Sequence, residues 1–147
     1  NADDGADVTD RVVTVTVNDG LVSSDAAQAT VSLIAVNDAP QLASAPVHLG
    51  TINEDDQDTD GTTVAALIPD GNITDPDGAA VEAIAVILVD QTNGVWQFNT
   101  GGDWHDFGLP SLTAARLLGP TDKVRFRPVA DYNGVATFRF KAWDQTN

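Results

Sequence analysis

Alternating apolar and polar residues are the dominant pattern along this chain. Val13, Val15 and Val17 alternate with threonines before a polar Asn-Asp-Gly turn, and a second run, residues 29–36, alternates in the same way. A period of two residues is typical of a β-strand with one buried face. The two runs therefore predict two half-buried strands, joined by a connection rich in serine and aspartate.

Further strands are predicted beyond the segment Asn37-Asp38-Ala39-Pro40. This segment is predicted to be a linker, because proline cannot donate a ladder hydrogen bond and keeps the preceding residue extended. Residues 81–89 are apolar at both alternating sets except for Glu82, which predicts a central strand covered on both faces. Other strands are predicted at residues 47–52, 95–98, 123–127 and 136–142.

The last strands carry different chemistry on their two faces. The predicted inward residues are Val124, Phe126, Ala136, Phe138 and Phe140, and the predicted solvent-facing residues are Lys123, Arg125, Arg127, Arg139 and Lys141. The only helix candidate is residues 111–118, with Ser111 as N-cap and Gly119-Pro120 as the stop. Many short strands separated by Gly, Pro, Asn and Asp turns predict an all-β, antiparallel sandwich.

The acidic residues add chemistry to this picture. Of the 22 acids, 20 are aspartate, only Glu54 and Glu82 are glutamate, and the net charge of the 147 residues is −15. A merely solvated acidic surface would mix both acids, whereas an aspartate on a turn bends the backbone and presents oxygen to a hard cation. The bias indicates calcium; the alternative is that aspartate simply marks many turns.

Several classes of function are disfavoured by composition. The negative charge argues against a nucleic-acid partner, and no run of about 18 apolar residues predicts insertion into a membrane. The absence of cysteine excludes disulfides and thiolate metal sites. His48 and His105 are the only imidazoles, and neither has the spacing of a catalytic triad or metal site, so we expect no enzyme and no catalytic residues.

Two acidic motifs are candidate calcium sites. In Asp75-Pro76-Asp77-Gly78, two carboxylates one residue apart lie on a turn and can converge on a cation; the alternative is an ordinary Asp-Pro turn. Residues 56–61 match the opening of an EF-hand loop, with Asp56, Asp58 and Asp60 at ligand positions. Position 12 of that loop is Leu67 instead of glutamate and no helices flank it, so a mobile acidic loop is favoured over a self-contained calcium loop.

An internal repeat suggests how the chain is organised. Val15-Thr16-Val17-Asn18-Asp19-Gly20 resembles Phe140-Lys141-Ala142-Trp143-Asp144-Gln145, each being an alternating strand that ends in a polar turn. We expect residues 1–38 to be the last two strands of one repeat and residues 39–147 to be the next repeat without its last strand. The hairpin is then a candidate to cover the open edge beside residues 136–142, within the chain or between chains.

Several of these motifs, in this order, resemble the cadherin-like tandem repeats of very large, calcium-dependent bacterial surface adhesins of the RTX or biofilm type. The resemblance covers about residues 37–147 and rests on these segments: Asn37-Asp38-Ala39-Pro40, Glu54-Asp55, Asp75-Pro76-Asp77-Gly78, residues 94–104, residues 123–128, Asp131-Tyr132-Asn133-Gly134 and residues 142–146. The linker lacks the second asparagine and the full acidic run of animal cadherins.

The resemblance implies a Greek-key sandwich of the immunoglobulin or cadherin type, strung in series, with Ca²⁺ at the junctions between repeats. It implies a secreted or cell-surface location and neighbouring repeats of the same polypeptide as partners. Carried over by position, the implied junction ligands are Asp19, Asn37, Asp38, Glu54, Asp75, Asp77 and Asp144. The expected function is that of a calcium-binding structural extender.

A ligand-binding adhesion domain is the alternative function. An exposed aromatic ring supplies a flat platform for a sugar, and Trp104, next to His105 in a Gly-Gly-Asp loop, is the best exposed candidate. The ligand would be a host or matrix glycan or a peptide. Core packing is the expectation for Trp96, which alternates with Phe98, and for Tyr132, which precedes a turn.

Overall fold

The computed structural model describes residues 9–43, 47–78 and 81–146, and nearly all of their regular structure is β. The elements are β1 (Arg11–Val15), β2 (Ala27–Val31), β3 (Gln41–Leu42), β4 (Thr62–Thr63), α1 (Val64–Leu67), β5 (Ile73–Thr74), β6 (Ile84–Val89), β7 (Gly94–Asn99), β8 (His105–Asp106), β9 (Arg116–Leu118), β10 (Lys123–Pro128) and β11 (Phe138–Ala142). Every strand pair in these residues is antiparallel. The predicted all-β, antiparallel class is confirmed.

The chain divides into two units. Of the described residues, the first unit, here called the hairpin unit, contains 9–38 and Pro76–Gly78, and the second, the sheet unit, contains the rest. The three residues Pro76–Gly78 thus group with the linker end of the hairpin, although their neighbours in sequence belong to the sheet unit.

The hairpin unit is built on β1 and β2. The two strands form a two-stranded sheet in which Arg11 opposes Val31 and Val15 opposes Ala27. The predicted half-burial of this hairpin is wrong, because every residue of β1 and β2 is exposed and Val13 retains 52% of its accessible surface. A two-stranded sheet has no second layer of its own against which to bury its apolar face.

The sheet unit holds the hydrophobic core. One sheet has the strand order β4-β10-β7-β8, a second has the order β11-β6-β9, and β3 pairs with β5. Core side chains come from both larger sheets and from α1; the buried hydrophobic residues of this cluster are Val64, Leu67, Ile68, Ile73, Ile84, Val86, Trp96, Phe98, Phe107, Leu118 and Val124. The predicted central place of β6 is confirmed, because it lies between β11 and β9, but its predicted cover on both faces is incomplete, because Leu88 is exposed.

Two predicted elements are wrong. Residues 47–52 form no strand. Residues 111–118 form no helix, because Ser111 and Ala114 close a turn through two backbone hydrogen bonds and β9 follows, pairing with β6. Leu118 at the end of β9 is fully buried. The burial of this leucine in the core outweighs the local helix signal, which spans only about two turns and is marginal alone.

The helix that does form, α1, is a single turn. Thr63 caps it by accepting a hydrogen bond from Ala66 N at its Oγ1, at 3.2 Å. Val64 and Leu67 point into the core, which is what fixes so short a helix. Within the described residues, no helix has the length and apolar character needed to cross a membrane.

Candidate metal-binding segments

The linker and the Asp-Pro-Asp-Gly turn meet inside the hairpin unit. The backbone N–H of Asp38 donates a hydrogen bond to Oδ2 of Asp77 at 2.5 Å, across 39 positions of sequence. Gly78, which ends the turn, has φ +145°, a conformation that favours glycine. Two residues predicted as calcium ligands are thereby neighbours, and both carry carboxylate oxygens of the kind calcium prefers.

Asp19 and Asp144, the equivalent residues of the internal repeat, both cap turns. Asp19 Oδ1 accepts hydrogen bonds from Leu21 N and Val22 N, both at 2.9 Å. These N–H groups, with Val22 first, lower the pKa of the exposed Asp19 carboxyl from its ordinary value. Asp144 Oδ1 accepts from the backbone N–H and the hydroxyl of Thr146 at 2.9 and 2.8 Å.

Asp90 repeats this arrangement outside the predicted ligand set. Its Oδ1 accepts from the Thr92 hydroxyl at 2.6 Å and from the Thr92 N–H at 3.0 Å, and the same two contacts lower its pKa. Asp122 likewise accepts from Gly119 N at 2.7 Å. Turn capping therefore accounts for part of the aspartate bias, as the alternative interpretation of the sequence expected.

The acidic loop 56–61 is attached to a buried arginine. Arg125 Nη1 donates to Asp58 Oδ1 at 2.7 Å and to the carbonyl oxygen of Thr59 at 2.9 Å. The prediction that Arg125 faces water is wrong, because the residue retains only 6% of its accessible surface. Arg125 does lie on the opposite face of β10 from Val124, but this loop and Trp104 cover that face.

The Arg125 guanidinium is fixed on its other sides as well. Its Nε donates to Gln97 Oε1 at 2.9 Å, and Gln97 Nε2 donates in turn to Asp106 Oδ1 at 2.7 Å. The guanidinium carbon lies 4.2 Å from the ring centroid of Trp104, within the range of a cation–π contact. Buried arginine is tolerated only when its donors are satisfied in this way.

A second contact pair holds the start of the same loop. Arg127 Nε donates to the carbonyl oxygen of Gln57 at 3.0 Å, and Gln57 Nε2 donates back to the carbonyl oxygen of Pro128 at 2.7 Å. The loop also needs a glycine, because Gly61 has φ +67° and a Cβ there would lie 2.5 Å from Trp104 Cη2. Residues 57–61 are thus attached to β10 at several points, unlike the mobile loop expected from sequence.

Trp104 lies inside this arrangement and is half-buried. Its six-membered ring contacts the backbone at Gly61, and Arg125 lies over the ring system. The expectation that Trp104 is an exposed platform is therefore wrong. His105, on β8, is exposed, and its ring centroid lies 5.7 Å from that of Phe98. Core packing is confirmed for Trp96, which is 3% exposed.

The predicted junction ligands fall in both units. Asp19, Asn37, Asp38 and Asp77 belong to the hairpin unit, whereas Glu54, Asp75 and Asp144 belong to the sheet unit. Across residues 9–43, 47–78 and 81–146, no three His, Asp or Glu side chains are gathered closely enough to hold a metal ion by themselves. The assignment of all ten residues as calcium ligands stays a prediction.

The Arg125–Asp58 contact is the main feature that sequence reasoning missed. Arg125 stands in a regular alternation with Val124 and Phe126, which is the pattern of an exposed residue on a half-buried strand. The partners on the loop lie 66 and 67 positions away. No local signal in the sequence indicates which charged residue a distant loop covers.

No family model matches this chain, and no curated protein or solved structure matches it either.

Proposed function

We propose that this chain is a calcium-binding structural module of a large bacterial cell-surface or secreted adhesin. In this proposal, calcium rigidifies the junctions between consecutive cadherin-like repeats of one polypeptide. The observation that carries it is the hydrogen bond from Asp38 N to Asp77 Oδ2 at 2.5 Å. This bond brings the linker motif and the Asp-Pro-Asp-Gly turn together, and both motifs supply oxygen ligands.

The proposal assigns the finer fold as a Greek-key sandwich of the immunoglobulin or cadherin type. The sheet unit is taken as belonging to one repeat, and the hairpin as belonging to the repeat before it. The antiparallel pairing of β1 with β2 and the terminal place of β11 in its sheet support this assignment. The neighbouring repeats are then the partners of the module, in an extracellular or cell-surface location.

The oxygen donors of Asp38 and Asp77 are of the type that calcium binds. They are too few to complete its coordination. Ca²⁺ takes six to eight oxygen ligands at about 2.3–2.6 Å, and one oxygen of Asp77 already accepts the Asp38 N–H. The Asp38 carboxylate and the second Asp77 oxygen are the first ligands in the proposal. Asn37, backbone carbonyls and water then supply the rest.

The net charge of −15 gives calcium an electrostatic role beyond the site itself. Like charges destabilise a compact state by self-repulsion, and bound cations reduce that repulsion. A cation that binds only the folded chain also stabilises it by mass action, by about 2.7 kcal/mol when free calcium is about 100 times the Kd. The melting temperature should therefore rise with calcium concentration.

Calorimetry tests the proposal directly. Differential scanning calorimetry in EDTA and in calcium is expected to give a higher Tm in calcium, and titration calorimetry is expected to give a measurable Kd. Asp77→Asn should weaken that Kd by on the order of tenfold, because calcium sites depend on ligand charge. Asp103→Asn is the matched control, since it removes the same charge from an exposed residue outside the predicted ligands. Identical transitions with and without calcium would refute the proposal.

The alternative, a glycan- or peptide-binding domain centred on Trp104 and His105, has less support. The Trp104 ring is half-buried between Arg125 and the Gly61 backbone, which leaves little of the flat apolar surface that a sugar needs. No contact of His105 in the described residues favours this alternative over the calcium-binding module.

A further inference from the structure

An open cleft of about 460 Å³ lies at one end of the β10–β7 pair, wholly within the sheet unit. Gly94 and Pro128, which are paired across the two strands, line it, and a hydrogen bond from Val129 N to the carbonyl oxygen of Asn93, at 3.0 Å, extends the pairing past the strands. Val95 and Val129 add apolar side chains to the lining. An apolar cavity of this volume with a few polar groups is typical of a small-molecule site.

Arg127 supplies the positive charge of the cleft and is held at one nitrogen. Its Nε donates to the carbonyl oxygen of Gln57 at 3.0 Å, and Gln57 Nε2 donates to the carbonyl oxygen of Pro128 at 2.7 Å. Within residues 9–43, 47–78 and 81–146, the two terminal nitrogens of Arg127 have no hydrogen-bond or ion-pair partner. The guanidinium is therefore anchored, and its paired terminal donors are left for a ligand.

Arg125, two residues earlier on the same face of β10, shows what a fully used guanidinium looks like in this sheet. Its Nη1 donates to Asp58 and Thr59, its Nε donates to Gln97, and both Arg125 and Gln97 are 6% exposed. The next pair along the two strands is Arg127 opposite Val95, and both of these residues are half-buried. The acidic loop thus covers the first pair, while the second pair lines the cleft.

Asp55 brings a negative charge to the same cleft. It is exposed, and it lies in a turn that the hydrogen bond from Asp56 N to the carbonyl oxygen of Asn53 closes at 3.1 Å. Among the described residues Asp55 forms no ion pair with Arg127 or with any other base. The cleft therefore presents a cation and an anion that do not neutralise each other.

We infer that this cleft binds a small carboxylate that carries a hydrogen-bond donor, either a hydroxyl or an ammonium group, beside its carboxyl group. The ligand carboxylate accepts two parallel hydrogen bonds from the terminal nitrogens of Arg127, a geometry that the planar guanidinium matches. Asp55 accepts from the neighbouring donor of the ligand. Val95 and Val129 contact its carbon skeleton.

The charges of the chain narrow the class of ligand. A phosphate carries more negative charge than a carboxylate, so Asp55 and the net charge of −15 repel it more strongly. A neutral sugar offers no charge to Arg127, and hydrogen bonds between charged partners are about twice as strong as neutral ones. Because one nitrogen of Arg127 is already fixed, less side-chain entropy is lost when the ligand binds.

NMR titration of the full chain, labelled with ¹⁵N, tests the site with four probes: glucuronate, alanine, glucose and phosphate. Glucuronate tests a hydroxyl donor beside the carboxylate, and alanine tests an ammonium donor. At least one of the two should shift the backbone amides of Val95, Arg127 and Val129 saturably, with a Kd of about 1–10 mM. Glucose and phosphate should leave the same amides unshifted at equal concentration and ionic strength.

Variants assign the contacts. Arg127→Gln should raise the Kd at least about tenfold, because the charged hydrogen bonds to the carboxylate are lost. Lys123→Gln is the matched control, since Lys123 is an exposed base on the same face of β10 and lies outside the cleft lining. Asp55→Asn should weaken binding of the probe that carries the donor. It should not weaken binding of acetate, which has no donor.

Three results would overturn the inference. The first is the absence of saturable shifts with both glucuronate and alanine, and the second is equal binding of glucose or phosphate. The third is an unchanged Kd in Arg127→Gln, which would place the ligand elsewhere or on a calcium ion held by the carboxylates. The specificity for charged probes is measured on the wild-type chain, so the first two results do not depend on the folding of a variant.

Discussion

The acidic loop 56–61 and the pair Asp38 and Asp77 have similar composition but are held by different contacts. In the loop, Asp58 faces the guanidinium of Arg125, so its charge is already matched by the protein. Asp77 accepts a hydrogen bond from the neutral backbone N–H of Asp38. A cation that binds Asp58 must compete with an arginine for the carboxylate, whereas the contact of Asp77 with Asp38 is made by a neutral backbone N–H. The availability of an aspartate for calcium depends on its neighbours more than on its motif.

The largest expected effect comes from removing the buried guanidinium of Arg125. Arg125→Ala should lower the free energy of unfolding by about 3 kcal/mol, because buried Gln97 loses its donor and the loop loses two hydrogen bonds. Urea unfolding measures this loss. Lys123→Ala, at an exposed residue of the same strand, should change the free energy by no more than about 0.5 kcal/mol.

Arg125→Ala also sharpens the comparison of the two acidic segments. If the Arg125 guanidinium competes with a cation for Asp58, titration calorimetry should detect tighter calcium binding to the loop in the variant than in the wild type. Equal unfolding losses in Arg125→Ala and Lys123→Ala would contradict a role of Arg125 in holding the loop.

A smaller effect is expected from Gly61→Ala. The φ of +67° disfavours any side chain, and the new Cβ would lie 2.5 Å from Trp104 Cη2 and 2.7 Å from the carbonyl oxygen of Val124. We expect a loss of about 2 kcal/mol in the free energy of unfolding. Gly101→Ala has φ +98° but no atom within 4 Å, so it should show only backbone strain of about 1 kcal/mol. Equal losses of unfolding free energy for the two variants would show that the Trp104 side chain moves away from the new Cβ without lowering stability.

The smallest effect concerns Asp19, a carboxylate that accepts hydrogen bonds from the local N–H groups of Leu21 and Val22. Its pKa is lowered in the folded chain, so its contribution is fully present above the pKa of the unfolded chain and is lost as the pH falls through the lower folded value. Asp19→Asn should therefore destabilise slightly at neutral pH and not at about pH 2. Urea midpoints at the two pH values, with Asp103→Asn as control, measure the difference. If Asp19→Asn destabilised the chain equally at both pH values, the lowered pKa of Asp19 would not be the source of the stabilisation.

Strands could be predicted from sequence where the apolar residues of their alternating pattern are the ones that pack in the core. The strands β7, β10 and β11 follow from the apolar alternation, and β6 follows from an apolar run on both faces. Residues 111–118 could not be predicted, because pairing with β6 and burial of Leu118 decide the conformation of β9. Such long-range contacts override a local signal of two turns.

The candidate metal-binding segments also include features that could be predicted from sequence and features that could not. The linker and the Asp-Pro-Asp-Gly turn could be selected from sequence because each is a local motif, and Asp38 and Asp77 do lie together. The covering of Arg125 by residues 58 and 59 depends on chain geometry far from β10. A charged residue on a strand is predicted to face water by its pattern alone, and only a distant loop reverses that outcome.

The way in which the chain enters and leaves the β1–β2 hairpin has a mechanical consequence. In an antiparallel pair whose open end is Arg11 and Val31, the chain enters β1 and leaves β2 at the same end. A pulling force applied through the flanking residues would separate the strands one pair at a time, like a zipper, instead of shearing all five pairs at once. Under tension β1 and β2 should yield at low force, and the sheet unit should yield only after them.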